Sequence, residues 1–563
     1  MKMSRFFSLL AIFTVVVFNV SAQQVADTDI QTDLPRLTTA ADLFNSTDRP
    51  IEEWSGFDPA RYKDMSFYKN DGITHLRGRI IDYTPDSDVK TVSIHTIDDI
   101  SGIRKNEVGE INPDGTFAID IPLTYPQFDF FKLGNIYKNL FLIPGDTLSV
   151  ITTMNSVKKG SYSKSFYFGF EGDMDDAVAV NLLADSISDH FDVRGLYNKM
   201  RIKRDDSMNV RTYEASEKLA PILDTVVAEL PALLGDLPVS GFAKDILSIS
   251  AIGDVAETIE DLIMDFRLAN SDKTIPDSLA PGGMRIVRAE KLDATKFLAP
   301  LKEYFSVLYD NPLLICKGRT LPNRWKFNGL FRSEYVLKDM EIISLNTRNL
   351  DEVGVGNCFA AQFSRPAMTM SGLKDPTRHI STTLDIHAAR VTALLKSCDY
   401  PIINKALMSS YTRYVKQLAL IENELESNET IGIDPSAHGG VLDRIIAPYR
   451  GNVLFLDFWN MGCAPCRAGM IRQKPMLEEY VGKPFKALYI SPLGEQARAE
   501  EWMRKEEIKG EHVFVSSDDW NRLQALFNFS AIPFGTIIDK NGNVTRVSCR
   551  MPEQKDLLDK MLK

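Results

Sequence analysis

Two cysteines, Cys463 and Cys466, flank Ala464-Pro465 where an apolar run, Leu454-Phe455-Leu456-Asp457-Phe458-Trp459, gives way to a helical pattern. Two intervening residues let the sulfurs close a small disulfide ring. A helix N-terminus carries partial positive charge and unpaired N–H groups, and both favour a thiolate. The spacing predicts thiol–disulfide exchange, with Cys463 at the helix end as the attacking thiol. Cys466, one turn inside, would be the buried resolving thiol. Pro465 restricts the backbone between them. Such exchange needs no metal and no organic cofactor. Two other readings use the same pair: half of a zinc site, or a structural disulfide. Zinc normally takes four ligands, and His438 and His512 stand isolated in the sequence.

Further residues suit that chemistry. Asp457 lies six positions before Cys463, inside the apolar strand. Burial there would raise its pKa, and it could take the proton of Cys466 as the second thiolate forms. The alternative is a solvent-facing carboxylate on an edge strand. Ile532-Pro533 precedes a second apolar run, Phe534–Ile538. A cis proline there would lie against the cysteines and offer the backbone of residue 532 to a substrate strand. Read locally, Pro533 is only a strand-start proline, and its distance from the cysteines favours the functional reading. Trp459 could floor the site or simply pack in the core. Arg467 could favour a thiolate or simply be solvated.

These residues need elements to hold them. Residues 441–563 alternate strand and helix patterns and close with a hairpin signal at Asp539-Lys540-Asn541-Gly542-Asn543, then a helix. Upstream, the predicted organisation is a signal peptide at 1–22, an irregular lead-in at 23–70 and a β-sandwich-like domain at 71–155. The last rests on seven short β-like runs separated by turn signals such as Asn112-Pro113-Asp114-Gly115. Helical periodicity marks a mostly α-helical domain at 173–426, broken near Pro276–Gly283 and Pro322–Gly329. Residues 427–440 read as a linker. At 563 residues the chain is too long for one core.

Composition narrows the class. The chain is 44% apolar and 25% charged, as an ordinary globular protein is. A net charge of −11 argues against nucleic acid as a partner. Lys2 and Arg5, the apolar run from Phe6 to Phe18 and the small residues Val20-Ser21-Ala22 fit an export signal. Six cysteines in all exclude a disulfide scaffold. Sequence does not say whether Cys316, Cys358, Cys398 and Cys549 pair. An exported chain that keeps one tight pair uses it for chemistry.

Residues about 440–563 resemble a thioredoxin-fold domain of the TlpA/ResA-like branch. The resemblance rests on Tyr449-Arg450-Gly451-Asn452 leading into Val453–Trp459, on Cys463-Ala464-Pro465-Cys466-Arg467, on Ile532-Pro533, and on Ile537-Ile538-Asp539-Lys540-Asn541-Gly542. It covers little more than a fifth of the chain. The whole arrangement is also similar to exported proteins of Bacteroides-like bacteria. The resemblance implies an exported, periplasmic thiol–disulfide oxidoreductase, commonly a reductase. It would act on disulfide- or thiol-containing proteins and be re-reduced by a membrane electron donor. Three departures stand out. Gly462 replaces the usual Trp before the first Cys, Gly469 replaces a Glu found in many members, and Ala464-Pro465 replaces the Gly-Pro of thioredoxin itself. With Gly469, the acid–base role falls to Asp457. The competing expectation is a binding or scaffold protein of the cell envelope with an accessory thioredoxin-like module.

Overall fold

The computed structural model describes most of residues 34–195, residues 224–269, the short stretches 273–276, 284–287 and 313–317, and residues 432–563 except Ser548. The export signal and the helices expected at Ala294–Leu308, Thr377–Lys396 and Pro401–Leu425 lie outside the described residues, as do Cys358 and Cys398.

The N-terminal strands form two four-stranded sheets. β1 (Ile73–Ile81), β4 (Thr116–Pro122), β7 (Thr147–Thr153) and β8 (Phe168–Glu171) make one, in the order β4-β1-β7-β8. β2 (Thr91–Ile97), β3 (Arg104–Glu110), β5 (Gln127–Leu133) and β6 (Ile136–Leu142) make the other, in the order β3-β2-β5-β6. Leu76 and Ile80 from the first sheet and Val92, Ile94, Phe131 and Leu133 from the second share one core. Because side chains alternate along a strand, this leaves Ser93, His95, Asn106, Phe130 and Lys132 on the outer face of the second sheet.

β8 escaped the strand pattern for a local reason. Gly169 interrupts its aromatic residues, and a Cβ there would come within 2.8 Å of Leu37. The glycine admits the lead-in segment against the sheet, where Thr38 bridges to Phe170. The lead-in is also tied further on: the Trp54 indole and the Tyr62 hydroxyl donate to buried Asp245 at 2.7 and 2.6 Å. Asp245 lies on α2 (Gly241–Ala269), which packs on α1 (Asp176–His190). Within the stretch read as helical, Lys273–Pro276 (β9) and Met284–Val287 (β10) pair as an antiparallel hairpin around the expected break. The β-branched residues Thr274, Ile275, Ile286 and Val287 favour strand there.

The C-terminal sheet positions the cysteines. Its order is β13 (Glu511–Val515), β12 (Phe485–Pro492), β11 (Val453–Phe458), β14 (Phe534–Ile538) and β15 (Val544–Val547). β11, β12 and β13 run parallel, and β14 and β15 are antiparallel to their neighbours. All six residues of central β11 are buried, since helices cover both faces. α4 (Ala464–Glu479), α5 (Gln496–Lys505) and α7 (Lys555–Leu562) share a core with Val453 and Phe455. α3 (Ala437–Ile446) and α6 (Ser517–Phe527) share another with Leu454, Leu456 and Phe458. The last residues read as linker thus open α3, with His438, Gly439 and Gly440 at positive φ. The β14–β15 turn is held by Asp539, whose carboxylate accepts from the amides of Asn541 and Asn543 at 2.9 and 2.8 Å. Among the described residues no helix is long and apolar enough to cross a membrane.

Candidate active site

β11 delivers the chain to the start of α4, and Cys463 is the N-cap of that helix. Its Sγ accepts from the Cys466 amide at 3.2 Å. Cys463 and Cys466 form a disulfide with Cα atoms 5.3 Å apart. Cys463 is 8% exposed and Cys466 1%. The sulfurs therefore sit at the unpaired N–H end of a sixteen-residue helix, where negative charge is favoured.

Alternation along β11 sets Asp457 on the same face as Val453 and Phe455, the face that α4 covers. Its carboxyl is buried and its pKa is pushed up to about 7 by that burial. A hydrogen bond from the Gln473 amide at 3.2 Å and the charge of Arg550 pull the other way. Gln473 is itself 3% exposed. It stands seven residues, two helical turns, after Cys466, so one face of α4 carries both groups. Tyr489 is the register partner of Asp457 on β12, and its buried hydroxyl is held above the ordinary tyrosine range by burial and then by the Asp457 charge.

Ile532–Pro533 is a cis peptide. Ile532 packs against the apolar cluster that contains Cys463 and Cys466. Phe529 and Phe534, on either side of this dipeptide, stack with ring centroids 4.6 Å apart. Trp459 is 1% exposed in the cluster with the cysteines, so it supports them from below and offers no surface to a ligand. Its ring lies 5.6 Å from that of Trp502, over which the Arg467 guanidinium sits at 6.0 Å. Arg467 thus stacks at the edge of the site.

Two residues escaped the sequence reading. Gln473 was hidden because a lone polar residue on a helix reads as solvent-facing; only its spacing from Cys466 could have placed it. Glu495 accepts from the Met461 amide at 2.7 Å and so braces the loop before Cys463. No motif announces that contact. Gly462 and Gly469 are not demanded by crowding: a Cβ at Gly462 would meet Asn460 Oδ1 at 3.4 Å, and one at Gly469 would meet nothing within 4 Å. Cys549 is buried in the same cluster, with its Sγ 3.6 Å from the Gly535 carbonyl. Burial holds the Cys316 thiol well above its ordinary pKa. Among the described residues, no group of three or more His, Cys, Asp or Glu is placed to hold a metal.

No protein-family model matches the chain, and no curated protein matches it. Solved structures do. These are thioredoxin-domain thiol–disulfide oxidoreductases. The thioredoxin domain of a thiol-disulfide oxidoreductase from Bacteroides vulgatus is 16% identical, over 21% of this chain and 84% of that one, with a TM-score of 0.20. A putative thiol:disulfide interchange protein DsbE from Chlorobium tepidum is 22% identical, over 21% and 81%, with a TM-score of 0.18. StoA from Bacillus subtilis is 16% identical, over 21% and 87%, with a TM-score of 0.18.

Proposed function

We propose that the chain is an exported thiol–disulfide oxidoreductase that reduces disulfides in proteins through Cys463 and Cys466. One observation carries this reading: the pair is closed as a disulfide at a helix N-terminus, and a buried carboxyl with a pKa near neutrality lies behind it on the neighbouring strand. In the reduced form, the Cys463 thiolate attacks one sulfur of a substrate disulfide. The S–S bond breaks, one substrate thiolate leaves, and a mixed disulfide forms. Asp457, ionised, takes the proton of Cys466. The Cys466 thiolate then attacks Cys463 and expels the second substrate thiol. Two electrons have passed to the substrate, and the Cys463–Cys466 disulfide remains. A membrane thiol donor restores the dithiol.

Ile532 and Pro533 would receive the substrate strand beside the disulfide, with Trp459 as rigid support beneath. Supporting export is the N-terminal sequence with Lys2, Arg5 and the apolar run to Phe18, which fits a periplasmic destination. In this reading residues 71–155 are a β-sandwich-like domain, 173–426 a mostly helical one and 441–563 the redox module. The reading is tested by turnover of a model disulfide with a thiol reductant. Cys463→Ser should abolish it, and equal rates for native and variant would sink the proposal. Cys466→Ser should trap the mixed disulfide and reveal the substrate by mass spectrometry.

A further inference from the structure

The outer face of the β3-β2-β5-β6 sheet is not solvated throughout. α6 lies across it, bringing together residues more than 400 positions apart. At one end, buried Asp518 accepts from the Lys90 amide at 2.8 Å, the Thr91 amide at 3.0 Å and the Thr91 hydroxyl at 2.6 Å. Arg522 forks onto Glu110 at 3.1 and 2.8 Å. At the other end, the contacts reach the segment that leads into Pro533. The Asn106 amide donates to the Gln524 carbonyl at 3.1 Å and to the Phe529 carbonyl at 2.8 Å. Asn528 donates to the Arg104 carbonyl at 2.7 Å.

Asn106 is 6% exposed. Both carbonyls can only accept, so its nitrogen must face them. Its oxygen then faces His95 Nδ1, which must carry the proton of that contact. Burial lowers the His95 pKa against the Asn106 contact, and the charge of Lys132 lowers it further. A neutral imidazole with Nδ1–H meets both demands. The amide is thus fixed in one orientation from behind. In front, the Phe529 carbonyl it holds belongs to the residue whose ring stacks on Phe534, immediately after Pro533.

We propose that Asn106 is a positioning residue of the redox site, and that the N-terminal sheet sets the affinity for polypeptide disulfides by fixing the 528–533 segment. The proposal rests on the function given above. Polypeptides would dock on the backbone beside Pro533 by strand addition, whereas a small disulfide needs only the sulfurs. Loosening the segment therefore raises KM for the first and leaves the second alone.

The test uses the full chain, with insulin and hydroxyethyl disulfide as substrates and dithiothreitol as reductant. Asn106→Leu keeps the volume and removes both donors. Its KM for insulin should rise on the order of tenfold, with kcat for hydroxyethyl disulfide unchanged within about twofold. Glu110→Gln, which weakens the same interface away from Pro533, should leave both constants unchanged. Amide exchange in 529–535 should quicken in Asn106→Leu and not in Glu110→Gln. Should Asn106→Leu fail to fold, Asn528→Gly, which keeps the left-handed conformation of residue 528 (φ 49°), removes the side-chain bond to Arg104 and should raise KM for insulin selectively. An unchanged insulin KM, or an equal loss with both substrates, overturns the proposal while leaving the redox reading intact. Full activity of Cys463→Ser overturns the redox reading itself.

Discussion

Asp457 is the residue whose environment does most to define the site. The ordinary carboxyl pKa is 3.8, and burial moves it to about 7 here. The sign of the linked stability follows. Between about pH 4 and pH 7 the unfolded chain has lost this proton and the folded chain keeps it. Stability tied to Asp457 is therefore full below pH 4 and declines as pH rises to about 7. Above that, the fold carries a buried charge at a cost on the order of 2–4 kcal/mol. Asp457→Asn should stabilise the C-terminal unit by this amount at pH 8 and leave it unchanged near pH 3, as read by urea denaturation at the two pH values. The same variant should lose the limb of the rate profile that rises near pH 7. Gln473→Leu removes a bond that favours the carboxylate, so its limb should move to higher pH. A limb that stays in place in Asp457→Asn would assign the proton transfer elsewhere. Asp457 could be read from the sequence because a carboxylate inside an apolar run is conspicuous. Gln473 could not, because nothing in one sequence says which polar helix residue turns inward.

At the scale of elements, legibility followed periodicity. Val453–Phe458 and Thr91–Ile97 stand in the structure at the residues their patterns mark, because an apolar run or an apolar alternation leaves a plain trace. The Asp539–Asn543 turn was equally plain, since its carboxylate and its glycine (Gly542, φ 93°) do local work. β8 was not, because four residues with a central glycine carry too little pattern. The β9–β10 hairpin, with four residues in each strand, is too short in the same way. Helix α4 offers a test of a different kind. Gly469 lies in its interior with open space where a Cβ would go. Gly469→Ala should therefore stabilise the unit by about 0.5–1 kcal/mol through the restricted unfolded chain. A fall in the denaturation midpoint would mean that the bare backbone there is needed.

At the scale of the whole molecule, polar contacts among the described residues connect distant stretches of sequence. Asp518, Asn521 and Arg522 occupy one face of α6, yet their partners Thr91, Lys132 and Glu110 carry no periodic signal that points back to them. That is why nothing in the sequence pointed to their union. Asp518→Ala strands two backbone donors and a hydroxyl in a buried seam. It should cost on the order of 3 kcal/mol. In urea denaturation followed by fluorescence, the C-terminal unit should then unfold separately from, and earlier than, the sheets at 73–171. Unfolding that stays coincident, with an unchanged midpoint, would show the seam to be dispensable.

The seam also sets a clock. Asp518 follows the Lys90 amide it binds by 428 residues. At about 5–20 residues per second of synthesis, the outer sheet face waits roughly 20–90 seconds for its cover. Phe130 and Tyr137, still 41% and 51% exposed beside the finished seam, lie on that waiting surface. A nascent chain would therefore present aromatic rings to chaperones long before its cysteines exist.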